Sequence, residues 1–186
     1  MVGVQVGTVQ PLQVGHDLWE MSGIRKHAVA GRVAVRALGL QGDEQADLTV
    51  HGGLSKAVYA YPLEHYEFWR AEQRAVGRSG DLPYGSLGEN LTVTGVLEES
   101  LFVGDTLHFP DCVLRVTQPR APCHKFIAVM QDRKAALKMM QSGLSGFYLA
   151  VDVPGSLAAG ESFEVHRGPR ETPLMTLFMA GRSRAR

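Results

Sequence analysis

Residues 101–123 read LFVGDTLHFPDCVLRVTQPRAPC, and their pattern decides the fold. Three short runs rich in branched and aromatic residues, 101–103, 106–109 and 112–118, are divided by the turn pairs Gly104-Asp105 and Pro110-Asp111. Together with residues 90–93 they predict a strand meander. The run Gln118-Pro119-Arg120-Ala121-Pro122 then stops it, because proline supplies no backbone donor and restricts the residue before it. A stiff loop presenting Cys123 is the consequence.

Outward from this stretch, Val2, Val4 and Val6 alternate at period two, and residues 32–37 do the same, so both read as half-buried strands. Between them, Ser22-Gly23-Ile24-Arg25-Lys26-His27 is a polar loop with two adjacent cations. Residues 43–53 are mostly loop chemistry, and residues 56–61 form a further strand. Pro62 suits the first turn of a helix over 63–75, with Leu63, Tyr66, Phe68 and Trp69 on its apolar side. Residues 77–88 are a long surface loop, and 124–141 favour helix, with a break near Gln131-Asp132 and an end at Gly143. Residues 147–153 and 161–166 look like a closing pair of strands. The segments 103–109 and 159–165 echo one another faintly, too briefly to establish a repeat. The expected fold is mainly β with helices (α+β): a closed, barrel-like sheet with a few flanking helices, because closure removes exposed edges.

Composition narrows the function classes. The 186 residues are 45% hydrophobic, enough for one sizeable core, and nineteen Lys and Arg balance nineteen Asp and Glu, so no overall basic field draws the chain to nucleic acid or an anionic membrane. Two cysteines make no disulfide scaffold, and no secretory leader or spanning segment is legible, so a cytoplasmic protein with free thiols is expected.

Three constellations carry chemistry. Cys123 lies between Arg120 on one side and His124 and Lys125 on the other; positive neighbours favour thiolate, which is both a nucleophile and a soft metal ligand. The same residue also reads as a small buried hydrophobe, as Cys112 does more strongly. Arg25, Lys26, Lys56, Arg120 and Lys125 form a set able to clamp a phosphate, with Gly52-Gly53 allowing close backbone approach and His51 a base or an orienting donor. In Gly88-Glu89-Asn90-Leu91, Asn90 offers a donor and an acceptor to a heterocycle edge, or simply closes a turn.

These stretches in series, with Ser142-Gly143, Gly146 and Tyr148 completing them, resemble the MOSC-domain family in its stand-alone bacterial YiiM-like branch. The resemblance covers residues 1–167, with the core motifs over about 28–167, and leaves 168–186 as a tail, a truncated helical extension. It implies a barrel-like β fold holding a molybdenum pyranopterin cofactor, with Cys123 ligating the metal and Arg25, Lys26, His51, Lys56, Asn90, Arg120, Lys125 and Tyr148 binding the cofactor; pyridoxal phosphate is a second ligand it brings to mind. The implied activity is reduction of small N-hydroxylated compounds (hydroxylaminopurines, amidoximes, hydroxamic acids). Electrons would come from an external flavin or iron–sulfur partner, because the chain lacks the cysteines for a cluster. Thr49, Leu144 and Ala150 stand where relatives often carry basic residues, which implies a thinner anion pocket, and His124 replaces a common aromatic. Rival readings are a cofactor or sulfur carrier acting through Cys123 and a Cys-His hydrolase using Cys123 with His51 or His124.

Overall fold

The computed structural model of the protein describes residues 1–48 and 51–184. Thirteen strands are found among them: β1 (Gly3–Val6), β2 (Gln10–Gln13), β3 (Trp19–Ser22), β4 (His27–Ala28), β5 (Arg32–Arg36), β6 (Gly39–Leu40), β7 (Val58–Pro62), β8 (Leu91–Val93), β9 (Thr106–His108), β10 (Val113–Pro119), β11 (Phe147–Val153), β12 (Gly155–Ala158) and β13 (Glu164–His166). Four α-helices accompany them: α1 (Tyr66–Ala75), α2 (His124–Met130), α3 (Ala135–Ser142) and α4 (Leu174–Arg184).

The α+β class is as expected, but the closed barrel is not. Eight strands form one open sheet in the order β13-β9-β10-β11-β7-β8-β1-β4, while β12-β5-β6 make a second sheet and β2-β3 a hairpin. Closure fails because the ladder divides: past Pro154, which has no N–H to donate, the chain re-enters as β12 and pairs with β5, and β4 at the sheet's far end is only two residues long. The edges are managed by layering instead. Val33, Val35, Leu40 and Leu157 of the small sheet share one core with Val4, Val58, Leu91, Leu114 and Leu149 of the large one.

Strand β7 alternates between two environments. Val58 and Ala60 enter that central core, whereas Tyr59 and Tyr61 enter a second cluster with Trp69 of α1, Phe126 of α2 and Met139 of α3. The parallel pairing of β7 with β8 is bridged by α1, as a parallel connection requires. The helix expected over 63–75 begins with a 3-10 turn, Leu63–His65, and Pro62 ends β7 rather than opening the helix. Likewise Leu54–Lys56 is a 3-10 turn ahead of the strand.

Other expectations are corrected by pairing. Residues 101–103 form no strand, only a bridge between Phe102 and Pro173. The strands β11 and β13 do not close on each other, because β9 and β10 lie between them. The two echoing segments are neighbours instead, with Leu107 opposite Val165 in an antiparallel pair. After Arg167 the chain docks on this sheet: Asp105 accepts from Gly168 N at 2.7 Å and from the Arg170 guanidinium at 2.7 Å, and Leu174 and Phe178 of α4 are buried. No helix among the described residues is long and apolar enough to cross a membrane.

Candidate functional site

Cys123 sits half-buried between the end of β10 and the start of α2, with extended backbone (φ −132°). Arg120, three residues earlier, is 4% exposed. Its guanidinium donates to Leu87 O at 2.7 Å and lies over the rings of Tyr59 (4.9 Å) and Phe126 (5.0 Å). Burial opposes its charge, but the Tyr59 and Tyr148 hydroxyls and the Cys123 sulfur favour it strongly, so Arg120 stays a cation. That charge acts on Cys123 in turn. Burial pushes the Cys123 thiol up, yet a hydrogen bond from His51, the Arg120 charge and the Phe126 N–H together bring it down to about 6. Cys112, buried in the central core, is pushed up by burial to about 11. One cysteine is thus an available thiolate near neutral pH, and the other is packing.

Lys26, His51, Lys56, Asn90, Arg120, Lys125 and Tyr148 all line the cleft in front of Cys123. Arg25 does not. Its side chain is exposed while Ile24 and Lys26 on either side face inward, the alternation expected of an extended segment.

Several residues reach the cleft with their polar groups already engaged. Lys26 forms a nearly buried ion pair with Asp43, whose Oδ1 also accepts from Gly7 N at 2.8 Å. Lys125 Nζ donates to Met21 O at 2.8 Å. Asn90 clips two strands together: Oδ1 accepts from Tyr59 N at 3.1 Å, and Nδ2 donates to Gln5 O at 3.3 Å. Both ends of that amide are used by the backbone, so the turn-closing reading of Asn90 describes its contacts better than the heterocycle one. Lys56 Nζ lies 5.8 Å from the Tyr148 ring centre, and Tyr148 packs 5.3 Å from Tyr59; burial raises the Tyr148 hydroxyl.

Some cleft residues escaped the sequence reading. Tyr59 is one, its hydroxyl raised by burial and donating to Ser145 O at 2.7 Å. Its signal was the alternation VYAYP, which sends two tyrosines to the face opposite Val58 and Ala60. Glu89, the carboxylate of the Gly88-Glu89-Asn90-Leu91 turn, does not line the cleft; it is fully buried and accepts from the Tyr66 hydroxyl, from Gly85 N at 2.7 Å and from Leu87 N at 3.2 Å. It shapes the loop that turns Leu87 O toward Arg120, and burial raises its carboxyl. Of the positions read as departures, Leu144 and Ala150 lie outside the cleft lining, and Thr49 lies outside the described residues. His124 pairs with Glu20 of β3 at 2.9 Å.

Comparison with known proteins gives these residues a family. The MOSC domain model matches residues 47–164. The chain is 38% identical over 165 residues to the uncharacterized protein YflK of Bacillus subtilis (strain 168), covering 89% of this chain and 72% of that one. It is 34% identical over 164 residues to protein YiiM of Escherichia coli (strain K12), covering 88% and 70%. A protein named "Reductase" from Gibberella moniliformis (strain M3125 / FGSC 7600) is 31% identical over 170 residues, 91% of this chain and 29% of that one. Among solved structures, YiiM from Geobacillus stearothermophilus superposes with a TM-score of 0.74 at 29% identity, covering 95% of this chain and 80% of that one. With a family model spanning more than half its residues and relatives matched over most of their length, the chain belongs to the MOSC-domain family.

Proposed function

We propose that the protein is a molybdenum-cofactor-dependent reductase of small N-hydroxylated compounds, with Cys123 as the thiolate ligand and electrons drawn from an external flavin or iron–sulfur carrier. The observation that carries this reading is a half-buried thiol, lowered to about 6, facing a cleft lined by cations from separate segments of the chain. Membership of the MOSC family fits a molybdenum-cofactor-associated role, and the relative named Reductase supports redox chemistry. Two free cysteines suit a reducing compartment such as the cytoplasm.

The donor set fits the group. Cys123 is the one thiol lining the cleft among the described residues, and a thiolate is the soft ligand such a metal takes. No cluster of three His, Cys, Asp or Glu able to hold a metal ion is present among them, and Cys123 is the residue that would reach the cofactor's metal. Lys56 and His51 would hold the cofactor's phosphate, Lys26 being paired with Asp43, while Arg120, committed to Leu87 O, acts through Cys123 by keeping the sulfur anionic and its loop in place. The cofactor, when bound, supplies the two-electron chemistry that takes oxygen from a substrate nitrogen. The aromatic wall of Tyr59 and Tyr148 gives a planar substrate an apolar surface on one side of that position.

The His51–Cys123 hydrogen bond also suits a second reading, nucleophilic catalysis by a Cys-His pair without a metal. One experiment separates the possibilities: protein made in a host competent for the cofactor is assayed for molybdenum, for amidoxime reduction with an artificial donor, and for ester hydrolysis after metal removal. Molybdenum-dependent reduction, reduced roughly a hundredfold or more in Cys123→Ser and kept in Cys112→Ser, is the expected result. Bound molybdenum without reduction would favour a carrier, and metal-free ester turnover a hydrolase.

A further inference from the structure

A second hollow borders the cleft across the Cys123 loop. It is a groove lined by Pro119 and Ala121 of the loop, Leu137 and Met140 of α3, and Leu177 of α4, and Arg120 lines both hollows. Its apolar walls are open to solvent: Leu137 is 54% and Leu177 38% exposed. The surrounding chain is basic. Residues 118–142 hold five Lys and Arg against one Asp, a net of +4 in a chain of nineteen against nineteen. Arg120 is buried, and Lys125 and Lys138 are engaged with Met21 O and with Asp132 and Glu72, but Arg133 and Lys134 in the turn just before α3 are exposed.

Resting on the reductase reading above, we propose that this groove is the docking face for an acidic electron-carrier protein. An apolar centre with the exposed cations Arg133 and Lys134 beside it selects an acidic partner: charge steers the encounter and sets its register, and the apolar walls supply the contact area. A second copy of the chain is disfavoured, because a two-fold contact would set this basic face against itself. Nucleic acid is disfavoured because the groove offers no exposed ring for a base; Phe178, its one aromatic, is 3% exposed. The position suits the task, since one loop separates the groove from Cys123. Per turnover the reduced carrier loses two electrons in all and solvent gives two protons; the substrate N–O bond breaks, an N–H bond forms, and the oxygen leaves as water.

The test uses the full chain and, as probe, an acidic ferredoxin with a two-iron, two-sulfur cluster. Ferredoxin is expected to bind in a salt-sensitive manner, with Kd raised about tenfold or more by Leu137→Glu and by the double change Arg133→Glu/Lys134→Glu. Both sites are exposed, and circular dichroism should show both variants folded. In the cofactor-loaded protein the same variants should lose ferredoxin-driven turnover while keeping turnover with a small reduced dye. Ferredoxin that does not bind, or that binds both variants as tightly as the parent, overturns the proposal. So does self-association that Leu137→Glu abolishes, or capture of an oligonucleotide by this face in place of ferredoxin. Dye-driven reduction with ferredoxin use indifferent to the groove removes the docking face alone, whereas groove-dependent binding without dye-driven reduction removes the reductase reading and leaves the docking face.

Discussion

Cys123 and Cys112 are chemically the same side chain in opposite surroundings, and each should report its own. In cofactor-free protein, alkylation of Cys123 is expected to titrate with a midpoint of about 6, while Cys112, pushed up to about 11 and buried, stays unreactive until unfolding; mass spectrometry of the labelled protein checks both. The same shift has a sign for stability. A thiol whose ordinary value of 9.0 is lowered on folding stabilises the fold fully above pH 9.0, and that contribution is lost as pH falls through about 6. Denaturation at pH 8 and pH 5.5 should therefore differ more in the parent than in Cys123→Ser. Among the cations, Lys56 faces the cleft and Arg25 faces solvent. Lys56→Ala is expected to lower molybdenum occupancy severalfold with turnover per bound metal little changed, and Arg25→Ala to leave occupancy as it was; elemental analysis of the two proteins decides.

At the scale of elements, the break between α2 and α3 is set by one residue. Gln131 ends α2 in the left-handed region at φ 49°, where a Cβ is crowded by the following carbonyl, and Asp132 then restarts the chain by accepting from Lys134 N at 2.9 Å. Gln131→Gly should relieve that crowding and raise stability by about 0.5–1 kcal/mol, net of the greater freedom glycine gives the unfolded chain, as measured by urea denaturation. Gly146 shows the opposite dependence. It holds φ 65°, and a Cβ there would meet Ala60 O at 2.6 Å, so β11 approaches β7 closely only because nothing projects at this point. That approach brings Tyr148 beside Tyr59 and builds the cleft's aromatic wall.

Over the whole molecule, two packed layers replace the closed cylinder, and the C-terminal segment completes the packing. Phe178 is 3% exposed and Leu174 fully buried, and Asp105, its carboxyl held low by Gly168 N, Phe102 N and Arg170 against the effect of burial, ties the segment to the loop before β9. Phe178→Ala is expected to cost about 3 kcal/mol, which for a chain of this size lowers Tm by roughly 6–12 °C. A loss of that size in a thermal melt shows residues beyond 167 to be part of the folding unit, whereas no loss would make them an appendage.

What was legible in the sequence is what local chemistry dictates. Period-two alternation marks β1 and β5, a run of branched residues set off by turns marks β10, and residues 147–153 have the bounds of β11. Prolines on either side of Arg120 marked the loop that presents Cys123, and its charged neighbours marked the thiol. Tertiary structure alone decided the rest, because it depends on partners remote in the chain. Whether the sheet closes is settled by where β12 pairs after Pro154, a choice between distant strands that no window of sequence contains. Which cations face the cleft is likewise a matter of pairing: Lys26 turns in to meet Asp43, and Arg25, its neighbour with the same charge, turns out. Arg120 looked like a phosphate clamp until Leu87 O, Tyr59 and Phe126, brought in from three other segments, enclosed it. Sequence determines which groups are present and how the backbone tends locally; burial and long-range contacts decide which of those groups remain available for chemistry.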